Sequence, residues 1–211
     1  MTALIVCNGT IRDYSFYKEY FDKAELIIGV DGGARHLLQF GVRPHVLMGD
    51  FDSISSKDLE YLKKLGTEII EFPVEKDMTD TELATEYAIS KGFKNIIFIG
   101  VLGTRVDHSL ANILLLKRML DKGVKGHIVD EYNIITLIRD EISLRKQPGY
   151  NLSLLPITSR VEGVTTKGLY FPLNNATIEM GSTWGVSNRF IDETAEVTIH
   201  DGLLLVIQSR D

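Results

Sequence analysis

The stretch Val46-Leu47-Met48-Gly49-Asp50-Phe51-Asp52-Ser53 decides how the chain is read. Three apolar residues run into a glycine and then into two aspartates one residue apart. A buried strand over Val46–Met48 would deliver Asp50 and Asp52 to its carboxyl end. Residues i and i+2 of an extended segment point to the same side, so both carboxylates would face one spot. At about 4 Å they would repel by roughly 1 kcal/mol in water, and by about 4 kcal/mol at an effective dielectric near 20. A divalent cation turns that repulsion into attraction, and Mg²⁺ is commonly held by one or two carboxylates plus substrate phosphates. The alternative is a polar turn in which Asp52 or Ser53 caps the following helix.

The same arrangement, an apolar run followed by polar chemistry, recurs on both sides. Upstream, Ala3–Val6 ends at Asn8-Gly9 and Leu26–Val30 ends at Asp31-Gly32-Gly33. A short helix is expected over Tyr14–Phe21, and another through Ala34, Leu37 and Leu38, stopping near Gly41. Downstream, Leu59, Leu62 and Leu65 mark a helix face that ends at Gly66, and Glu68–Phe72 is a strand candidate. Thr79 and Glu82 have capping-box spacing, so a helix starts there, with Leu83, Ala84, Tyr87 and Ala88 as its apolar face. Asn95–Ile99 is a fifth strand. A long helix follows from about His108 to Lys122, with Ala111, Leu114, Leu115 and Met119 on one side, and Gly126–Val129 is a sixth strand.

Six strands alternating with helices predict an α/β fold with an open, mostly parallel sheet covered on both faces. Ligands of such sheets bind outside the carboxyl ends of the strands. Asp31, the pair Asp50/Asp52, the pair Asp77/Asp80 and the pair Arg105/Asp107 all stand on that rim. Beyond Tyr132 the helical period disappears. Short β-rich runs replace it: Ile134–Ile138, Leu152–Leu155, Arg160–Val164, Leu169–Phe171, Ala176–Glu179, Ala195–Ile199 and Leu203–Gln208. Turn residues such as Pro148-Gly149, Asn174-Asn175 and Asp201-Gly202 separate them, which predicts an antiparallel sandwich or barrel. The expected division is therefore 1–132 and 133–211. So small a β domain is expected to lean on its neighbour or on another subunit.

The 211 residues carry a net charge of −6 and no basic run, which disfavours a nucleic-acid partner. One cysteine, Cys7, permits no internal disulfide and fits a reducing, cytoplasmic setting. Neither a signal peptide nor an apolar run of membrane-spanning length is visible.

Neither a P-loop nor G-x-G-x-x-G is present, although Gly32-Gly33 before a helix start still lets a phosphate approach free backbone N–H groups. Asp80 joining Asp50 and Asp52 would make a three-carboxylate cation site of the kind phosphoryl-type transfer uses. Arg105 and Lys76 could meet phosphate oxygens, Arg105 bidentately. Asp107 could hold Arg105 or bind substrate. Asp77 or Asp80 could orient an attacking hydroxyl or accept its proton. Trp184, the only tryptophan, sits among glycines and hydroxyls in Gly181-Ser182-Thr183-Trp184-Gly185-Val186-Ser187-Asn188, where it either lines a core or presents its ring to a flat ligand. Cys7 on a buried strand and the lack of G-x-S-x-G disfavour nucleophilic catalysis.

Taken in series, Asp31-Gly32-Gly33-Ala34, Gly49-Asp50-Phe51-Asp52-Ser53, Lys76-Asp77-Met78-Thr79-Asp80-Thr81-Glu82, Gly103-Thr104-Arg105-Val106-Asp107-His108, Gly168-Leu169-Tyr170-Phe171-Pro172-Leu173 and Trp184-Gly185-Val186-Ser187-Asn188 resemble the thiamine pyrophosphokinase family across nearly the whole chain. Thr104 departs from the bacterial pattern, which usually has a second glycine there. The resemblance implies an α/β domain followed by a β-sandwich, a homodimer, and transfer of diphosphate from ATP to the hydroxyl of thiamine with release of AMP. It places Mg²⁺ on Asp50, Asp52 and Asp80, with Asp31, Gly32, Gly33, Lys76, Thr79, Arg105 and Asp107 facing ATP. It places thiamine against Trp184, Ser187 and Asn188. Another D-x-D metal enzyme, or a non-catalytic nucleotide or thiamine sensor, is the competing reading.

Overall fold

Apolar runs of four or five residues become strands of a parallel sheet, and helices occupy the intervals between them. The computed structural model describes every residue, Met1–Asp211, and the chain divides into two units, Met1–Glu131 and Tyr132–Asp211.

Unit 1 contains β1 (Thr2–Val6), β2 (Leu26–Val30), β3 (Val46–Gly49), β4 (Glu68–Glu71), β5 (Asn95–Ile99) and β6 (Lys125–Val129). They pair in parallel in the order β4-β3-β2-β1-β5-β6. Successive strands from β1 to β4 step in one direction, and β5 then returns to the other side of β1. The β1/β5 junction is thus a topological switch point, where the loops above the strands part and leave a crevice. All five residues of β2 are buried, as expected of a strand covered on both faces.

A 3₁₀ turn (Tyr14–Tyr17) leads into α1 (Lys18–Lys23); α2 (Gly33–Phe40), α3 (Ser56–Lys64), α4 (Asp80–Ser90) and α5 (Val106–Asp121) follow. Local chemistry sets their ends. Gly41, in a left-handed conformation at φ 67°, closes α2. The Thr79 hydroxyl accepts the Glu82 N–H at 3.2 Å and starts α4. Ser55, not Asp52 or Ser53, caps α3 by accepting the Asp58 N–H at 3.1 Å, so both aspartates of the opening motif are free of that duty. On α5 the buried side chains are Leu116 and Met119, while Leu114 is exposed; the apolar face lies rotated from the one expected because the helix packs chiefly on β6. Glu82 and Glu86 of α4 pair with Arg118 of α5 at 2.8 and 2.9 Å, which ties the two helices together and takes Glu82 out of the rim chemistry.

Unit 2 is a sandwich. One layer holds the strands β7-β13-β9 in that order, from β7 (Asn133–Ile138), β9 (Asn151–Pro156) and β13 (Leu204–Ser209); the other is the four-stranded sheet β11-β10-β12-β8, built from β8 (Glu141–Arg145), β10 (Arg160–Lys167), β11 (Ala176–Glu179) and β12 (Thr194–Thr198). All these pairings are antiparallel. Inward residues Leu152, Leu154, Val161, Val164, Ala195, Val197, Leu204 and Val206 form its core. Strand β8 escapes sequence reading because only Ile142 and Leu144 carry its apolar alternation. Leu169–Phe171 is a loop, not a strand. Gly168 at φ 73° and Pro172 bracket it, and a single bridge, Leu169 to Phe190, remains.

Candidate active site

Every loop at the carboxyl end of β1, β2, β3 and β5 opens onto one cavity of about 730 Å³, lined also by the start of α4. Asp31, Asp50, Asp52, Asp77, Asp80, Lys76 and Arg105 all face it. Asp50 and Asp52 reach it by a route other than strand geometry. The strand ends at Gly49, Phe51 adopts a left-handed φ of 61°, and the Asp52 N–H donates to Asp50 Oδ1 at 3.1 Å. A turn closed by Asp50 itself brings the two carboxylates to one cavity, not a shared face of a strand.

Asp31 is the most perturbed carboxyl of the group. It too has a left-handed φ, 46°, and its Oδ1 accepts the Asp50 N–H at 3.1 Å. This position exists because residue 49 is glycine: a Cβ there would lie 1.6 Å from Asp31 Oδ1. Burial, together with the negative charges of Asp80 and Asp50, pushes Asp31 from 3.8 up to about 6 against the opposing pull of the Asp50 N–H and Lys76. Lys76 Nζ lies 2.7 Å from Asp80 Oδ1, both side chains being largely buried, and rests 5.7 Å from the Phe72 ring centroid. Neither atom of that ion pair has a further hydrogen-bond partner. Lys76 is therefore the one cation standing inside the acidic cluster.

Arg105 forks onto Asp107, with Nη2 at 2.6 Å from Oδ2 and Nε at 3.3 Å from Oδ1. Both groups are exposed, and the Arg105 hydrogen bond holds the Asp107 carboxyl below the usual carboxylate range. Arg105 lines the cavity while Asp107 stands behind it, so Asp107 orients the guanidinium. Gly32 and Gly33 do not line the cavity. A Cβ at Gly33 would sit 2.0 Å from the Val6 carbonyl oxygen, and one at Gly32 would sit 2.4 Å from the Asn8 amide. Their smallness lets α2 begin directly against the end of β1. Cys7, at the cavity floor, approaches the Thr81 hydroxyl at 3.5 Å and is pushed up to about 12 by burial, so it holds no thiolate.

In unit 2, Trp184 is 62% exposed, which settles its place outside any core of this chain. Exposed Tyr170 and Phe171 meet edge to face at 4.8 Å, and the Arg189 guanidinium covers Tyr170 at 4.4 Å. Buried Asn188 builds this surface: its Oδ1 accepts the N–H groups of Phe171 and Arg189 at 3.0 and 2.9 Å, and its Nδ2 donates to the Phe171 carbonyl at 2.7 Å. Ser187, at φ 62°, donates its N–H to Ser153 Oγ at 3.0 Å.

Two family descriptions match this chain: the thiamin pyrophosphokinase catalytic domain over residues 17–128, and the thiamin pyrophosphokinase vitamin B1 binding domain over residues 139–204. The chain belongs to the thiamin pyrophosphokinase family. It is 34% identical to thiamine pyrophosphokinase of Bacillus subtilis over 212 aligned residues, covering 100% of this chain and 99% of that one. The crystal structure of the thiamine pyrophosphokinase from Bacillus subtilis superposes with a TM-score of 0.92 at 31% identity, covering both chains completely. That of Geobacillus thermodenitrificans gives 0.85 at 31% identity, over 100% of this chain and 98% of the other. No helix is long and apolar enough to cross a membrane.

The family resemblance implies Mg²⁺, and the donor chemistry of the rim suits it. Five carboxylates supply hard oxygen donors to the cavity, and burial, followed by the neighbouring charges of Asp80 and Asp50, raises the proton affinity of Asp31. The carboxylates do not close into a preformed group of three around one point. That suits an ion which keeps several waters and takes substrate phosphates into its shell. Residues that sequence reading left out of the site are Asn8 and Thr10 beyond β1, and Ser109 and Asn112 on α5. Only the pairing of β1 with β5 brings those two groups together.

Proposed function

We propose that this protein is an ATP-dependent thiamine diphosphokinase: it transfers the diphosphate of ATP to the hydroxyl of thiamine and releases AMP. The observation that carries this reading is the convergence of Asp31, Asp50, Asp52, Asp77 and Asp80 with Lys76 and Arg105 on one cavity at the switch point of the sheet. Diphosphate transfer asks a protein chiefly to position and neutralise phosphates. The thiamine hydroxyl oxygen attacks the β-phosphorus, the bond from that phosphorus to the α,β-bridging oxygen breaks, and AMP departs with the bridging oxygen.

Bound Mg²⁺, held by Asp50, Asp52 and Asp80, would supply charge neutralisation on the phosphate oxygens. Arg105, oriented by Asp107, donates two hydrogen bonds to the same phosphate chain. Lys76 turns between Asp80 and phosphate. Asp77 is exposed and unpaired, so it is better placed than Asp80 to accept the hydroxyl proton. Thr79 fixes the start of α4, which carries Asp80. The thiamine ring is assigned to unit 2, where Trp184 presents an uncovered aromatic face; Ser187 and Asn188 hold the surrounding loops in place. We also propose a homodimer, supported by the exposed apolar side chains Phe171, Ile191 and Met180, and a cytosolic setting in which the single Cys7 thiol stays reduced.

The direct test incubates the purified protein with ATP, Mg²⁺ and thiamine and separates the products by chromatography. Thiamine diphosphate and AMP are expected in equal amounts; ADP as the nucleotide product, or no thiamine diphosphate, overturns the reading. Equilibrium sedimentation at twice the monomer mass of 23.7 kDa checks the dimer.

A further inference from the structure

The pairs Lys18–Asp22, Glu19–Lys23 and Lys117–Asp121 lie along helices, with side chains 45–77% exposed. Such pairs contribute little to a fold. Lys76 and Asp80 have the same spacing in different surroundings. Lys76 stands in the loop before the N-cap Thr79, and Asp80 is the first residue of α4. Their side chains are only 14% and 16% exposed, and Nζ lies 2.7 Å from Oδ1.

The pair is close but incomplete. An ammonium carries three donors. No other protein group takes a hydrogen bond from Nζ, and the Phe72 ring centroid stands 5.7 Å from it. Asp80 has a second source of positive potential in the N-terminus of α4, which the Thr79 cap opens. The lysine is thus held by one contact at the end of a flexible stem, on a carboxylate that the helix end continues to favour after it leaves.

The neighbouring carboxylates are held differently. Asp31 accepts the Asp50 N–H and Asp50 accepts the Asp52 N–H, each at 3.1 Å. Of Asp50, Asp52 and Asp80, only Asp80 is paired with a cation. Moving one member of a buried ion pair leaves the other uncompensated. A divalent cation alone at Asp80 would strand the ammonium beside like charge, and a phosphate alone at Lys76 would strip Asp80. A metal-bound polyphosphate meets both needs, giving the carboxylate a cation and the ammonium a set of acceptor oxygens.

We propose that Lys76 is a built-in stand-in for the metal: its ammonium occupies Asp80 while the site is empty, competes there with a divalent cation that arrives alone, and passes to the phosphate chain when metal and polyphosphate arrive together. The exchange rests on the reading of the chain as a metal-dependent diphosphotransferase with Asp80 among the metal ligands.

Its signature is a pair of effects of opposite sign, measured on the full chain without turnover. Mn²⁺ alone is titrated by the loss of its free electron-paramagnetic-resonance signal, and inorganic tripolyphosphate is titrated by calorimetry in saturating Mg²⁺. Lys76→Met, checked for folding by thermal melting, is expected to bind Mn²⁺ alone roughly fivefold more tightly or better, and magnesium tripolyphosphate roughly fivefold more weakly or worse. Lys76→Gln carries the test if Lys76→Met does not fold. Arg105→Met, which removes an exposed, screened charge from the same cavity, should leave Mn²⁺ affinity within about twofold. The proposal is overturned if Mn²⁺ affinity ignores Lys76, if the Lys76 variants weaken both ligands, or if Arg105→Met matches their gain. It is also overturned if wild type does not bind magnesium tripolyphosphate or binds it no better than the Lys76 variants. Thiamine diphosphate formation with Mn²⁺ affinity indifferent to Lys76 would leave the enzymatic reading standing and remove the exchange. Opposite-signed effects in a chain that forms no product would do the reverse.

Discussion

The rim of unit 1 and the aromatic surface of unit 2 are built from different materials. The rim concentrates charge: five aspartates, Lys76 and Arg105 on one cavity, each delivered by the loop after a strand or the start of a helix. The unit 2 surface presents apolar rings, Trp184, Tyr170 and Phe171, on loops braced by neutral hydrogen bonds from Asn188 and Ser187. Charges crowded together store repulsion that a cation or a phosphate-bound ion relieves, so the rim answers to electrostatics and pH. Exposed rings gain by covering apolar area and by contact with a cationic ring, so their surface answers to shape and stacking. A phosphate donor and a flat, positively charged acceptor need these two kinds of surface respectively.

The largest effect expected from breaking this contrast is at the rim. Asp50→Asn and Asp80→Asn should each lower the rate of thiamine diphosphate formation by roughly 100-fold or more while leaving the circular-dichroism spectrum unchanged, since removing one electrostatic stabiliser typically costs on the order of 10²–10³ in turnover. Wild-type turnover in both would remove the acidic rim from the mechanism.

Next in size is a test of how the rim is built. Gly49→Ala would drive a methyl group into Asp31 Oδ1 at a backbone φ of 148°, so Asp31 must leave its place. A loss of roughly 1–3 kcal/mol in urea denaturation is expected, as for overpacking elsewhere. An unchanged midpoint would show that Asp31 is not held as described.

Unit 2 should respond differently. Trp184→Ala is expected to raise KM for thiamine about tenfold, equivalent to one desolvated cation–π contact of about 1–2 kcal/mol. KM for ATP should stay within twofold. Equal effects on both substrates would erase the division of labour between the two regions.

The smallest effect concerns pH. Asp31 binds its proton more tightly in the folded chain, at about 6, than in the unfolded chain, at 3.8. The stability it contributes is full below about 4 and is lost as pH rises through about 6. Asp31→Asn keeps the acceptor for the Asp50 N–H and removes the charge. In the absence of divalent cations it should therefore be more stable than wild type at pH 8, on the order of 1 kcal/mol once the half-exposed position is allowed for. Near pH 4 the difference should vanish. A gap that grows toward low pH would contradict the assignment.

Much of the rim is legible in the chain because period and punctuation are local properties. Apolar runs ending at Gly29-Val30-Asp31 or Met48-Gly49-Asp50 announce buried strands, and parallel strands always carry their carboxyl ends to one edge. The same reading misjudges what local pattern does not control. Asp50 and Asp52 meet through a left-handed Phe51 and an N–H bond to Asp50, not through strand geometry. Gly32 and Gly33 serve helix-on-strand packing away from the cavity surface. Strand β8 hides in Glu141-Ile142-Ser143-Leu144-Arg145, where one side of the sheet is polar.

By itself, then, the sequence determined the elements, their alternation and the acidic character of the strand ends in Val46–Ser53 and its counterparts, because periodicity, turns and charge act over a few residues. The tertiary structure decided which of those ends are neighbours. Placing β1 beside β5 unites Asn8 with Asn112 and opens the crevice, closing β3 beside β2 sets Asp31 against Gly49 and Asp50, and the sandwich loops leave Trp184 uncovered. Strand order, loop closure and side-chain crowding depend on contacts far apart in the chain, and no local pattern encodes them.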